Sequence, residues 1–268
     1  MHQDIALRFL TAPPLHNSGP KSALEKIAFK MSEPQPGNPV TVMWCGGLKS
    51  DMEGGKATYL HDWAIARGFG FIRFDYFGHG QSSGAFRDGT ISRWARDTVQ
   101  IMDELAKTDI ILVGSSMGGW ASLLAMMERA DRVKAMLLIA PAPDFTEKLM
   151  WAGWSPEQRA ELEAKGILYE PSDYDEPYEY SRELIEDGRA RQILDNPITF
   201  DGPVQILQGA QDNVVPPEYS MKLIDVMTSE DIDYTLVKSG DHSLSTPRDL
   251  ERLGQALEAL VEKVLPGQ

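Results

Sequence analysis

Only one cysteine, Cys45, occurs in 268 residues. A single thiol excludes an internal disulfide and fits a reducing compartment. Long apolar runs are also missing, and none approaches the roughly 18 residues needed to span a bilayer, so stable membrane insertion is not expected. The opening Met1-His2-Gln3-Asp4 has neither the basic and apolar regions of a secretory signal nor the Arg-rich character of a mitochondrial presequence. A cytoplasmic protein is the expectation. Positive charge is scarce, with 26 Lys and Arg against 40 Asp and Glu, a net charge of −14. Such a surface repels polyphosphate backbones, which argues against a nucleic-acid partner. There is no Walker loop, zinc-type Cys/His cluster or internal repeat. The chain does have 42% hydrophobic and 25% charged residues, the ordinary globular balance. Its length suits one α/β domain carrying an insertion.

Short β-rich runs alternate with helix-period segments, the pattern of a mostly parallel sheet flanked by helices. Residues 3–10 and 22–31 read as two opening strands separated by a turn at 13–20. Further strands are predicted at 40–45, 69–76, 110–115, 133–140, 203–208 and 232–238. Helical spacing is predicted over 52–67, 91–107, 217–228 and 246–264, and again directly after Ser116. Residues 145–196 break the alternation, reading as helix-like or turn-rich. They are assigned as a cap inserted into a core made of 1–144 and 197–268.

Gly114-Ser115-Ser116-Met117-Gly118 fits the Gly-x-Ser-x-Gly elbow, in which a tight strand-to-helix turn presents a serine nucleophile. The pattern alone is common, but this copy lies between an apolar strand and an amphipathic helix. A serine nucleophile needs a base, and the base an orienting acid. Four of the five histidines precede Ser116, leaving His242, on the loop after the last strand. Asp212 lies on the loop after the preceding strand, giving the chain order Ser, Asp, His. Asp144 and Asp241 are the rival acids. Asp144 follows the strand at 133–140, and Asp241 is adjacent to His242, where two side chains rarely face each other. The oxyanion of an acyl-transfer intermediate needs backbone N–H donors. Met117 is the first candidate and Leu48 the second, with Gly47 as the alternative on the same loop. Cys45 ends a buried strand with no basic neighbour and reads as packing. Asp75 and His79, in Asp75-Tyr76-Phe77-Gly78-His79-Gly80, read as scaffold of a glycine-bearing loop. Leu149, Met150, Trp151 and Trp154 offer an apolar surface for a substrate, or simply core packing.

With these residues in hand the chain resembles the α/β-hydrolases. More narrowly, it resembles the family of α/β-hydrolase domain-containing protein 10. The likeness is carried by the segments at 46–57, 72–76 and 112–120, and by Asp212-Asn213-Val214-Val215-Pro216. It implies an α/β-hydrolase fold and a serine esterase of the palmitoyl-protein thioesterase and acyl-glucuronide esterase type, with Ser116, Asp212 and His242 on the catalytic positions. Small-molecule or acylated-protein substrates are implied, and no metal or organic cofactor. Unlike that family, the chain opens without a mitochondrial presequence, which fits a bacterial or processed relative. The competing readings are carbon–carbon bond hydrolysis or perhydrolysis on the same scaffold, and a slow-turnover small-molecule receptor. Turnover of a simple ester separates an esterase from a receptor.

Overall fold

The computed structural model describes residues 5–12, 25–171 and 177–265. Eight strands form one sheet: β1 (Arg8–Ala12), β2 (Glu25–Ser32), β3 (Val40–Cys45), β4 (Gly70–Phe74), β5 (Asp109–Ser115), β6 (Val133–Ile139), β9 (Val204–Gly209) and β10 (Ile232–Val237). Their order across the sheet is β1-β2-β4-β3-β5-β6-β9-β10. β1 and β2 run antiparallel to their neighbours, and the pairs from β4 to β10 are parallel. The central strands read as unbroken apolar runs because both of their faces are covered. On β5, Ile110 and Leu112 point to one face, while Ile111 and Val113 point to the other.

Helices α2 (Ile91–Leu105) and α3 (Met117–Glu128) cover the first face, bringing Trp94, Ile101, Trp120 and Leu123. Helices α1 (Gly55–Ala66) and α8 (Pro247–Val264) cover the second with Leu60, Trp63, Leu253 and Leu257. The start of α8 is fixed by Thr246, whose hydroxyl accepts from the Asp249 amide. The Asp249 carboxylate accepts in return from the Thr246 amide. No helix among the described residues is long and apolar enough to cross a membrane.

The chain between β6 and β9 departs from the α/β rhythm. It holds a π-helical turn (Thr146–Trp151), α4 (Pro156–Lys165), β7 (Ile167–Glu170), β8 (Tyr178–Ser181) and α5 (Arg182–Ala190). β7 and β8 pair as a separate antiparallel sheet, where the sequence pattern suggested only helix and turn. A second correction concerns 217–228, which forms two short helices, α6 (Pro217–Ser220) and α7 (Lys222–Val226), in place of one. The opening strand begins at Arg8, so the sequence reading set it too early. The predicted turn at 13–20 and residues 172–176 of the assigned cap lie outside the described residues.

Candidate active site

The elbow is built by close approach. Ser116 holds φ 53° and ψ −120°, a left-handed backbone unusual for a residue with a side chain. Three backbone bonds secure it: its amide donates to Ile139 O (2.9 Å), and its carbonyl accepts from Gly119 N (2.9 Å) and Ala142 N (3.1 Å). A Cβ on Gly114 would lie 2.5 Å from Ser122 Oγ and 2.7 Å from the Gly118 carbonyl oxygen. A Cβ on Gly118 would overlap the carbonyl oxygens of Cys45 and Gly46, so only glycine lets α3 start against the end of β3. Among the described residues the other non-glycine residues at positive φ are Lys49, Ala140, Asp144 and Leu244. All lie in the segments that follow the carboxyl ends of sheet strands, the rim where α/β sheets form sites.

The three candidate triad residues come together on this rim. His242 Nε2 is 3.0 Å from Ser116 Oγ, and its Nδ1 is 2.8 Å from Asp212 Oδ2. Burial pushes the Asp212 carboxyl up. The His242 hydrogen bond and the amides of Val215 and Val214 outweigh that push, and hold it below the ordinary carboxylate range. An ionised carboxylate only accepts, so the Nδ1 proton is donated to Asp212 and Nε2 is left to accept from the serine hydroxyl. The Asp212 side chain is fully buried and His242 is 28% exposed, so the imidazole alone of this pair meets the cavity. Gln208, which the sequence reading passed over, donates to Asp212 Oδ2 (2.9 Å) and to Val215 O (3.0 Å), bracing the acid.

The rival acids are engaged elsewhere. Asp144 accepts from the Ile193 and Leu194 amides at 2.8 and 3.0 Å and pairs with Lys148, tying the two ends of the inserted segment. Asp241 accepts from the amides of Ser243 and Leu244, both at 3.0 Å, shaping the loop beside His242.

On the loop after β3, the Gly47 carbonyl accepts from Ser50 N (3.2 Å) and Ser50 Oγ (2.7 Å). The Gly47–Leu48 peptide is planar and trans, so the Leu48 N–H points the opposite way. Among the described residues neither Leu48 N nor Met117 N donates to a protein acceptor. Both residues line the cavity with Ser116, and a Cβ on Gly47 would sit 3.5 Å from Ser116 Cβ. This arrangement can offer two amides to an oxyanion.

Asp75 and His79 brace this loop from below. Asp75 accepts from Met52 N (2.7 Å) and Gln81 N (2.8 Å), and His79 Nε2 accepts from Lys49 N (3.0 Å). Cys45 is buried, and burial pushes its thiol up to about 12, leaving no thiolate for chemistry.

The cavity, of about 780 Å³, is walled by Phe145, Leu149, Met150, Tyr178, Tyr180 and Val215. Lys56 lines it too, and burial lowers its ammonium to about 8. Lys56 Nζ donates to the Ser243 carbonyl, next to His242. Leu149 and Met150 are where an acyl surface was expected, but Trp151 and Trp154 are not in the cavity wall. Trp154 is buried, donating to Glu170 Oε1 (2.8 Å) and packing on Tyr180. Trp151 lies against Trp154 under the Arg159 and Arg189 guanidinium groups. Packing within the insertion accounts for both. Tyr178 and Tyr180 escaped the sequence reading, although Tyr178-Glu179-Tyr180 has the period-two alternation of a strand.

Residues 41–168 match the family described as serine aminopeptidase, S33. The human palmitoyl-protein thioesterase ABHD10, a mitochondrial protein, is 33% identical over 264 residues, which span 98% of this chain and 82% of the relative. The crystal structure of a putative hydrolase from Agrobacterium vitis S4 is 41% identical, with a TM-score of 0.90 over 97% of this chain and 100% of that one. Mouse α/β-hydrolase domain-containing protein 10 superposes with a TM-score of 0.84 at 30% identity, over 97% of this chain and all of that one.

Proposed function

The chain belongs to the α/β-hydrolase family as a relative of the ABHD10 thioesterases. From that membership we propose a serine esterase that hydrolyses carboxylic esters and thioesters of acyl groups. The observation that carries this reading is His242, hydrogen-bonded on one side to Ser116 and on the other to the buried Asp212. Ser116 Oγ attacks the acyl carbonyl carbon while its proton passes to His242 Nε2, and Asp212 steadies the imidazolium. The amides of Met117 and Leu48 meet the oxyanion. Collapse of the tetrahedral intermediate breaks the bond to the alcohol or thiol, which takes the proton from His242. Water then attacks the acyl-enzyme with His242 as base, releasing the carboxylic acid and restoring Ser116. A thiol, with pKa of about 8.5, leaves with less help from that proton than an alcohol does.

Residues 145–196 act as a cap over the acyl group. The apolar wall from Phe145 to Tyr180 supports medium or long chains, at about 0.8 kcal/mol per buried methylene. A fluorophosphonate probe tests the nucleophile. It should label Ser116 stoichiometrically, and Ser116→Ala should lose about three to six decades of kcat on a p-nitrophenyl ester. Labelling at Ser115, or full activity in the alanine variant, overturns the reading.

A further inference from the structure

Lys49 directly follows Leu48 and holds φ 57° despite its side chain. Strain of that kind persists only where the surroundings over-determine the backbone. Here they do so from two directions. From the core, His79 accepts the Lys49 amide at 3.0 Å. From the insertion, the Lys49 ammonium lies 4.9 Å from the ring centre of Tyr178 on β8 and donates to Pro177 O at 3.3 Å. It is also 4.9 Å from the ring centre of Phe86, in the 3₁₀ turn Phe86–Asp88. An isolated surface lysine contributes little, but a cation over two rings is held in place. Tyr178 also lines the cavity, stacked on Tyr180 with ring centres 5.8 Å apart. The ring that an acyl chain would touch is therefore the ring that holds the residue next to Leu48.

We propose that Lys49 is a positioning residue through which the β7–β8 sheet sets the Leu48 amide. An acyl chain long enough to bear on Tyr178 then improves transition-state binding as well as substrate binding. The inference rests on the esterase reading above. Binding energy remote from the reacting carbonyl appears in kcat only when something carries it to the reacting centre, and Lys49 is the physical link.

The test compares kcat and KM of wild type, Lys49→Met, Lys49→Arg, Tyr178→Leu and the Lys49→Met/Tyr178→Leu double variant on p-nitrophenyl acetate and decanoate. Outright removal of an oxyanion donor costs about a hundredfold or more, so loosening one should cost about tenfold. The wild-type ratio of kcat for decanoate over acetate should collapse about tenfold in Lys49→Met and recover in Lys49→Arg. Affinity for a decyl trifluoromethyl ketone, bound as a serine adduct carrying the oxyanion, should fall by the same factor. The double variant should be no worse than the poorer single one. An equal loss on both esters, a loss confined to KM, or additive losses in the double variant overturns the proposal. Wild-type activity retained by Ser116→Ala would overturn the esterase reading and this inference with it, whereas the Lys49 outcomes bear on this inference alone.

Discussion

Asp212 and Asp144 are both fully buried carboxylates, and their surroundings give them different work. Asp212 meets an imidazole in addition to its amide donors, whereas Asp144 meets two amides and an ammonium. Asp212→Asn should keep the fold and lower kcat by about 10⁴, because the amide orients the wrong tautomer of His242. Asp144→Asn should leave kcat near wild type and cost about 1–3 kcal/mol in a urea titration, since hydrogen bonds to a buried charge are weakened. The reverse pattern would move the acid to the loop after β6. The convergence of Ser116, His242 and Asp212 was legible in the sequence because the strand runs fixed the loops and only one histidine followed the serine. Tyr178 and Tyr180 were not. Only Tyr180 of their strand is buried, and Pro177 directly before it reads as turn. Trp151 and Trp154 misled for another reason. Size and apolarity mark a buried residue without saying whether it packs on substrate or on protein.

At the scale of elements, the end of β3 and the start of α3 meet in a tight joint. A Cβ on Gly118 meets two backbone carbonyl oxygens, which cannot swing aside as a side chain can. Gly118→Ala should therefore destabilise by about 3 kcal/mol, the upper end of overpacking costs, and lower kcat with it. That double effect arises because both candidate oxyanion amides flank this joint. Gly153→Ala is the control. Nothing lies within 4 Å of its Cβ, so its unfolding midpoint should stay or rise slightly. The central parallel strands were readable from the sequence as apolar runs because each is covered on both faces, whereas the parallel edge strand β10 is half exposed. β7 has four residues, of which only Leu168 is buried, so it had no run to show. The split between α6 and α7 was equally hidden, because a break of one residue barely disturbs helical spacing.

The whole molecule carries −14, and residues 155–187 alone hold eleven acidic against three basic side chains. That field should slow polyanionic donors. Neutral thioesters are expected to exceed acyl-coenzyme A of the same chain length in kcat/KM at low salt, with the gap narrowing as salt screens it. An acyl-coenzyme A preference that strengthens at low salt would mean Lys56 at the cavity overrides the surface. Stability should depend on pH through two buried histidines, His61 and His79. Burial and the nearby cations Arg73 and Lys49 lower each to about 4. Unfolded, each takes up a proton below about 6.5, so their stabilisation is full above that value and is lost as pH falls towards 4. At pH 5 the loss is about 2 kcal/mol per histidine. Urea midpoints of wild type and His61→Gln at pH 7 and 5 check this, and an unchanged pH dependence in the variant would refute it. Finally, β6 and β9 are direct neighbours, with Met136 beside Val204 and Ile139 beside Leu207. The pair is parallel, so the chain leaves at the carboxyl end of β6 and must cross to the amino end of β9. Before it crosses, Asp144 closes the excursion by accepting from the Ile193 and Leu194 amides, and a segment of different length or shape can hang from those two anchors. On the proposed function, exchanging that segment between relatives should change the acyl wall and leave the Ser116–His242–Asp212 hydrogen bonds intact, provided that the new segment keeps a ring where Tyr178 meets Lys49.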